Sequence, residues 1–111
     1  MRLNDEPFEL IRLGIKTIEL RLYDEKRRAV APKDRIEFIK ASDESQRIPS
    51  EVLDIHLFPS FRELYAALPL LKCGYTEKDI ASASYTDMEK YYAREEEEKL
   101  GVVGIEIKVI A

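Results

Sequence analysis

Apolar and polar positions follow two different rhythms along this chain, and the changes of rhythm mark its elements. Residues 16–22 (KTIELRL) repeat every second position, with Ile18, Leu20 and Leu22 on one face and Thr17, Glu19 and Arg21 on the other. A period of two predicts a strand with one buried side. Just before it, residues 7–13 (PFELIRL) place Phe8, Leu10, Ile11 and Leu13 at helical spacing. Pro7 suits a first helical turn and Gly14 a helix stop. Residues 24–28 read as a turn or a single helical turn with Asp24 as its N-cap, and Pro32-Lys33-Asp34 as a further turn. Residues 35–40 (RIEFIK) predict a second strand and residues 41–46 a polar hairpin loop. Residues 47–58 predict a third, mostly buried strand, whose Pro49 suits an edge.

The second half is helical by pattern. Ser60 and Glu63 have the spacing of a capping box, ahead of an apolar face made by Phe61, Leu64, Tyr65 and Leu68. Residues 76–83 predict a second helix, with Thr76 as cap and Asp79 at the box position. Residues 86–100 predict a third, closed by Gly101. Residues 102–110 (VVGIEIKVI) form a last strand that must pair with one far away in sequence. The order is helix, three strands, helices, strand. It predicts an α+β fold: a small mixed β-barrel or curled sheet with helices at one end.

Length and composition narrow this further. With 111 residues, 45% hydrophobic and 36% charged, the chain can bury one core under a charged surface, so a single domain over 1–111 is expected. No apolar run approaches the roughly 18 residues of a membrane span. The polar start lacks a signal-peptide core, so a soluble, cytoplasmic protein is expected. One His and one Cys leave no zinc site of the Cys/His type, and no metal or other cofactor is expected. Cys73 reads as a small buried hydrophobe, and His56, among Ile55, Leu57 and Phe58, as a core or edge residue. The run of glutamates at 95–98 reads as a solvated face. The net charge of -4 is unevenly spread: residues 16–35 hold seven bases against four acids, and residues 77–111 hold five against nine. An acidic total can therefore hide a positive cleft.

The candidate chemistry lies in the first long strand. Glu19 and Arg21 face the same way, and Lys16 sits at the strand's mouth. A guanidinium fork matches phosphates or base edges, and a carboxylate accepts from exocyclic amines. Tyr23, Tyr91 or Tyr92 offers a stacking surface for an exposed base. Within Lys26-Arg27-Arg28, Arg28 is the candidate phosphate contact. The plainer reading of the same residues is an ion pair on a strand face and a solvated turn. No Ser-His-Asp or Cys-His arrangement and no phosphate-binding Gly loop is evident.

The run Gly14-Ile15-Lys16-Thr17-Ile18-Glu19-Leu20-Arg21 matches the pattern Gly-x-Lys-x-x-Glu-x-Arg and follows a short helix. It resembles the ASCH family of the PUA-like superfamily. The resemblance continues through residues 22–28, Pro32-Lys33-Asp34, Ile36-Glu37-Phe38, residues 61–65, Tyr91-Tyr92 and Gly101-Val102-Val103-Gly104-Ile105. It implies a PUA-like barrel with a cleft between barrel and helices and an RNA or nucleotide partner, for which Lys16, Glu19, Arg21, Tyr23, Arg28 and Tyr92 are the candidate contacts. Some small members resembling this chain are amidohydrolases acting on N4-acetylcytidine. They use a Lys matching Lys16, a Thr three residues later and a further Glu. Here Glu19 stands in the place of that Thr, and Glu63 is one candidate for the further Glu. The implied alternatives are thus an amidohydrolase using Lys16 and Glu19, or a protein-interaction module with no cleft ligand.

Overall fold

All four expected strands form, and a fifth precedes them. The computed structural model describes residues 1–110. Its elements are β1 (Arg2–Leu3), α1 (Asp5–Arg12), β2 (Ile18–Leu22), α2 (Glu25–Arg28), β3 (Arg35–Lys40), β4 (Asp43–Phe58), α3 (Phe61–Ala67), α4 (Arg94–Leu100) and β5 (Val102–Val109). Three 3-10 turns, at Leu70–Lys72, Ile80–Ser82 and Tyr85–Lys90, join α3 to α4. The strands make one curled half-barrel sheet in the order β1-β3-β4-β5-β2, antiparallel except for the β1–β3 pair. The α+β expectation holds, and the last strand pairs with both β2 and β4.

The sixteen-residue β4 bends the sheet. Its first half pairs with β3 and its second with β5, and its register shifts between Val52 and Asp54. Leu53 is the extra residue, and such a bulge increases local twist. Pro49 precedes Ser50, the first residue of β4 paired with β5, and its carbonyl accepts from the Ile110 N–H just past β5, so its missing N–H falls at the margin of that pairing. The expected hairpin loop is shorter than its polar sequence implied, because β4 already begins at Asp43.

Two apolar layers cover the sheet. On one face Phe8 and Ile11 of α1 pack with Ile36, Phe38, Ile48, Val52, Val103, Ile105 and Ile107. On the other, Phe61 and Leu64 of α3 pack with Ile18, Leu20, Leu22, Cys73 and Val102. Gly104 lets α3 approach closely, since a Cβ there would lie 2.7 Å from Leu68 Cδ1. Cys73 is buried, as expected, and burial pushes its thiol up to about 11. His56 sits at a cross-strand site on β4, its Nε2 3.2 Å from Glu106 Oε1 on β5.

The helices differ from expectation in instructive ways. Ser60 precedes α3 but makes no capping hydrogen bond. Instead Glu97 reaches over from α4, and its Oε1 accepts from the Phe61 N–H at 2.6 Å. The glutamate run is therefore only partly a solvated face. Residues 76–83 form a turn and one 3-10 turn rather than a helix, although Asp79 Oδ1 accepts from the backbone N of Thr76 as the expected capping box requires, and from its hydroxyl as well. Residues 86–100 split into a 3-10 turn and α4; between them Tyr92 stacks on Phe61, ring centroids 5.8 Å apart.

Candidate ligand-binding cleft

β2 and β1 are the two edges of the half-barrel and do not pair with each other. A cleft of about 910 Å³ opens beside this gap. It is bounded by the start of α1, by Arg2 and Leu3, and by the 65–92 segment that descends from α3.

The register of β2 explains why polar side chains line it. Glu19 lies opposite Ile105 and Arg21 opposite Val103, so both share the α1 face with the apolar core. The expected strand with one wet side is buried on both: Glu19 is only 3% exposed. A carboxylate in such a place must be paired. Glu19 Oε1 accepts from Lys16 Nζ at 2.8 Å, and Oε2 accepts from Arg21 Nη2 at 3.1 Å and Nε at 3.3 Å. Burial pushes the Glu19 carboxyl up, but Lys16 and Arg21 together outweigh it and hold it below its ordinary value. Arg21 Nη2 also donates to the Arg2 carbonyl at 3.1 Å, so one guanidinium spans the gap between the two edges.

Lys16 is placed by the turn after α1. Gly14 adopts a φ of 77°, and the backbone N–H groups of Ile15 and Lys16 both donate to the Leu10 carbonyl. The Lys16 stem then runs along Gly74, where a Cβ would lie 3.4 Å from Lys16 Cδ. Gly74 has a φ of 115°, a backbone state that favours glycine. Only one hydrogen bond is made by the Lys16 ammonium, which has three N–H donors and lines the cleft.

Of the expected ligand contacts, Lys16, Glu19, Arg21 and Tyr92 line the cleft, as does Tyr91. Tyr23 and Arg28 do not. The Arg28 guanidinium lies 4.5 Å above the Tyr23 ring and donates to the Leu100 carbonyl, so these two residues satisfy each other beside α2. Arg27 pairs with Asp24, which also caps α2 as expected. Of the basic stretch, Lys16, Arg21 and Arg27 are thus ion-paired close to home. Glu63 is exposed on α3 and lies outside the cleft.

Sequence reasoning missed the opposite wall. Tyr65 and Tyr75 share a hydrogen bond of 2.7 Å between their hydroxyls, and Tyr75 donates to Asp87 Oδ2, also at 2.7 Å. All three line the cleft. Burial raises both phenols above their ordinary value, so they stay protonated. The only signal in sequence was an excess of tyrosine; the chain brings these three residues together across two irregular turns with no periodicity.

A family model for the ASCH domain matches residues 1–111, the whole chain. The chain belongs to the ASCH family. Among solved structures, this ASCH domain is similar to hypothetical protein PH0355, known from a crystal structure. The two are 34% identical over 99% of this chain and 96% of that one, with a TM-score of 0.78. It is also similar to protein PF0455 from Pyrococcus furiosus, solved by solution NMR. That protein is 32% identical over 99% of this chain and 98% of its own, with a TM-score of 0.70. No curated protein sequence matches the chain. Among the described residues, no helix of this ASCH domain is long and apolar enough to cross a membrane.

Proposed function

We propose that this ASCH domain binds a nucleotide unit, within RNA or free, by taking its base into the cleft. The observation that carries the reading is the buried Lys16–Glu19–Arg21 cluster on the cleft wall. Lys16 and Glu19 are buried and Arg21 is partly so; burying a charge costs several kcal/mol per ion before pairing offsets it. Replacing a buried ion cluster by apolar residues of similar size is often neutral or stabilising, so stability alone is a weak reason for such a cluster. The cleft volume falls within the roughly 300–1,000 Å³ typical of small-molecule sites. Its wall carries four cations (Arg2, Lys16, Arg21, Lys90) and four acids (Glu6, Glu19, Asp79, Asp87). Such a balanced wall suits the edge of one base and its sugar better than a long phosphate backbone. The exposed Tyr91 at the rim offers a stacking face. A concave polar cleft counts against a module that works without a cleft ligand.

The test is calorimetric titration with nucleoside monophosphates and short single-stranded RNA. Lys16→Met keeps the stem packed on Gly74 and removes the ammonium. The expected result is at least about a tenfold loss of affinity. Equal affinity in a folded variant would sink the reading.

The spare N–H donors of the Lys16 ammonium favour one second reading. A buried ammonium facing a cleft can stabilise the oxyanion of an amide undergoing hydrolysis. On that reading water attacks the acyl carbon of an N4-acetylcytidine-type nucleoside, Glu19 carries the water's proton to the departing amine, the C–N bond breaks, and acetate and cytidine leave. Release of cytidine, abolished by Lys16→Met, is the expected result; no turnover at high enzyme concentration would eliminate it for that substrate.

A further inference from the structure

The Tyr65–Tyr75–Asp87 chain gives the cleft a polarity that the charged cluster does not. We infer that Tyr65 is the specificity-determining residue of the cleft, and that it selects a ligand edge presenting an amino group over one presenting a carbonyl. The inference rests on the nucleotide-binding reading above and names the class of base.

Counting protons along the Tyr65–Tyr75–Asp87 chain fixes its direction. Asp87 is a carboxylate; its hydrogen bond from Tyr75, aided by the Ser84 N–H, holds it below its ordinary value. An ionised carboxylate only accepts. Tyr75 therefore spends its single hydroxyl proton on Asp87. The 2.7 Å contact between the two hydroxyls can then be made only if Tyr65 donates and Tyr75 accepts. Tyr65 has no proton left, and its oxygen offers the cleft lone pairs alone.

The other wall is the reverse. Both Glu19 oxygens are already occupied by Lys16 and Arg21, so what that cluster has to spare is N–H donors. One wall of the cleft thus accepts and the other donates. Cytosine and adenine present an amino donor beside a ring-nitrogen acceptor, and the amino group is what the accepting wall can take. Uracil and hypoxanthine present a carbonyl beside a ring N–H, which reverses it. A buried acceptor facing a carbonyl leaves both lone pairs unmet, and that is a strong means of rejection.

The relay is also fixed against drift. Tyr75 is packed edge-on to Tyr65, ring centroids 5.8 Å apart at 81°. Asp87 is in turn held at the head of the Tyr85–Lys90 turn, where its Oδ2 takes the Ser84 N–H. Replacing Asp87 by Asn puts an amide there, which can donate as well as accept, so the relay loses its enforced direction.

Calorimetry on the intact chain tests this with adenosine against inosine monophosphate and cytidine against uridine monophosphate. Wild type should prefer the amino member of each pair about tenfold or more. Tyr65→Phe and Asp87→Asn should each reduce that preference to within about threefold, with a cooperative melting curve showing that each variant is folded. If nucleotides bind but wild type shows no amino preference, or the preference survives both substitutions, this inference falls and the binding reading stands. If no nucleotide binds wild type, both fall together.

Discussion

Glu19 has its two oxygens taken by two cations and almost no contact with water. Removing one partner of such a cluster strands the others, whereas removing an exposed ion pair changes little. Glu19→Gln should therefore destabilise the fold by about 3–5 kcal/mol, read by urea denaturation. Arg12→Ala, which removes an exposed pair with Glu9, should stay within about 0.5 kcal/mol. The acid limb follows from the same residue. Its folded-state carboxyl titrates below the ordinary value near 4.5. The stabilisation is thus fully present above that value and is lost as pH falls through the depressed one. The wild-type advantage over Glu19→Gln should be flat at neutral pH and shrink only in acid; an advantage that grew on acidification would contradict the pairing. These three charges were legible in the sequence as a pattern. Their burial was not, because alternation reports which residues share a face and not what covers that face.

At the level of elements, α3 is the sharpest case. Its sequence offers Ser60 as a cap, yet the cap comes from Glu97 on α4. Glu97→Ala should cost about 1 kcal/mol, while Ser60→Ala should leave the unfolding midpoint nearly unchanged. The opposite ranking would restore the local capping box. The strands were readable because each carries a strong period of two or a dense apolar run, and β3 has the bounds its pattern gives. β1 was not readable, since two residues cannot show a period. The 76–93 segment failed for another reason. Its caps at Thr76/Asp79 and Ser84/Asp87 each start only a short turn, and Tyr92 is drawn onto Phe61 instead of continuing a helix. That segment builds the wall with the tyrosine relay, so the part of the site least legible in sequence is the part made of irregular structure.

For the molecule as a whole, the charges nearest the cleft are matched locally. Arg21, Arg27 and Arg28 each have a partner within their own neighbourhood, and the cleft wall is balanced. A phosphate-tracking protein loses affinity steeply with salt, in proportion to the phosphates it neutralises. This domain should instead show a shallow dependence on single-stranded RNA, with a log–log slope between zero and about -2. A slope much steeper would place the partner on a basic surface outside the cleft. The half-barrel leaves an unpaired gap between β1 and β2, and the Lys16–Glu19–Arg21 cluster both bridges that gap and lines the opening beside it. The most direct test of that arrangement is an NMR titration of the labelled protein with cytidine or adenosine monophosphate. Shifts concentrated at Lys16, Glu19, Arg21, Gly74 and Tyr75 are predicted; shifts confined to other surfaces, or none at saturating nucleotide, would contradict it.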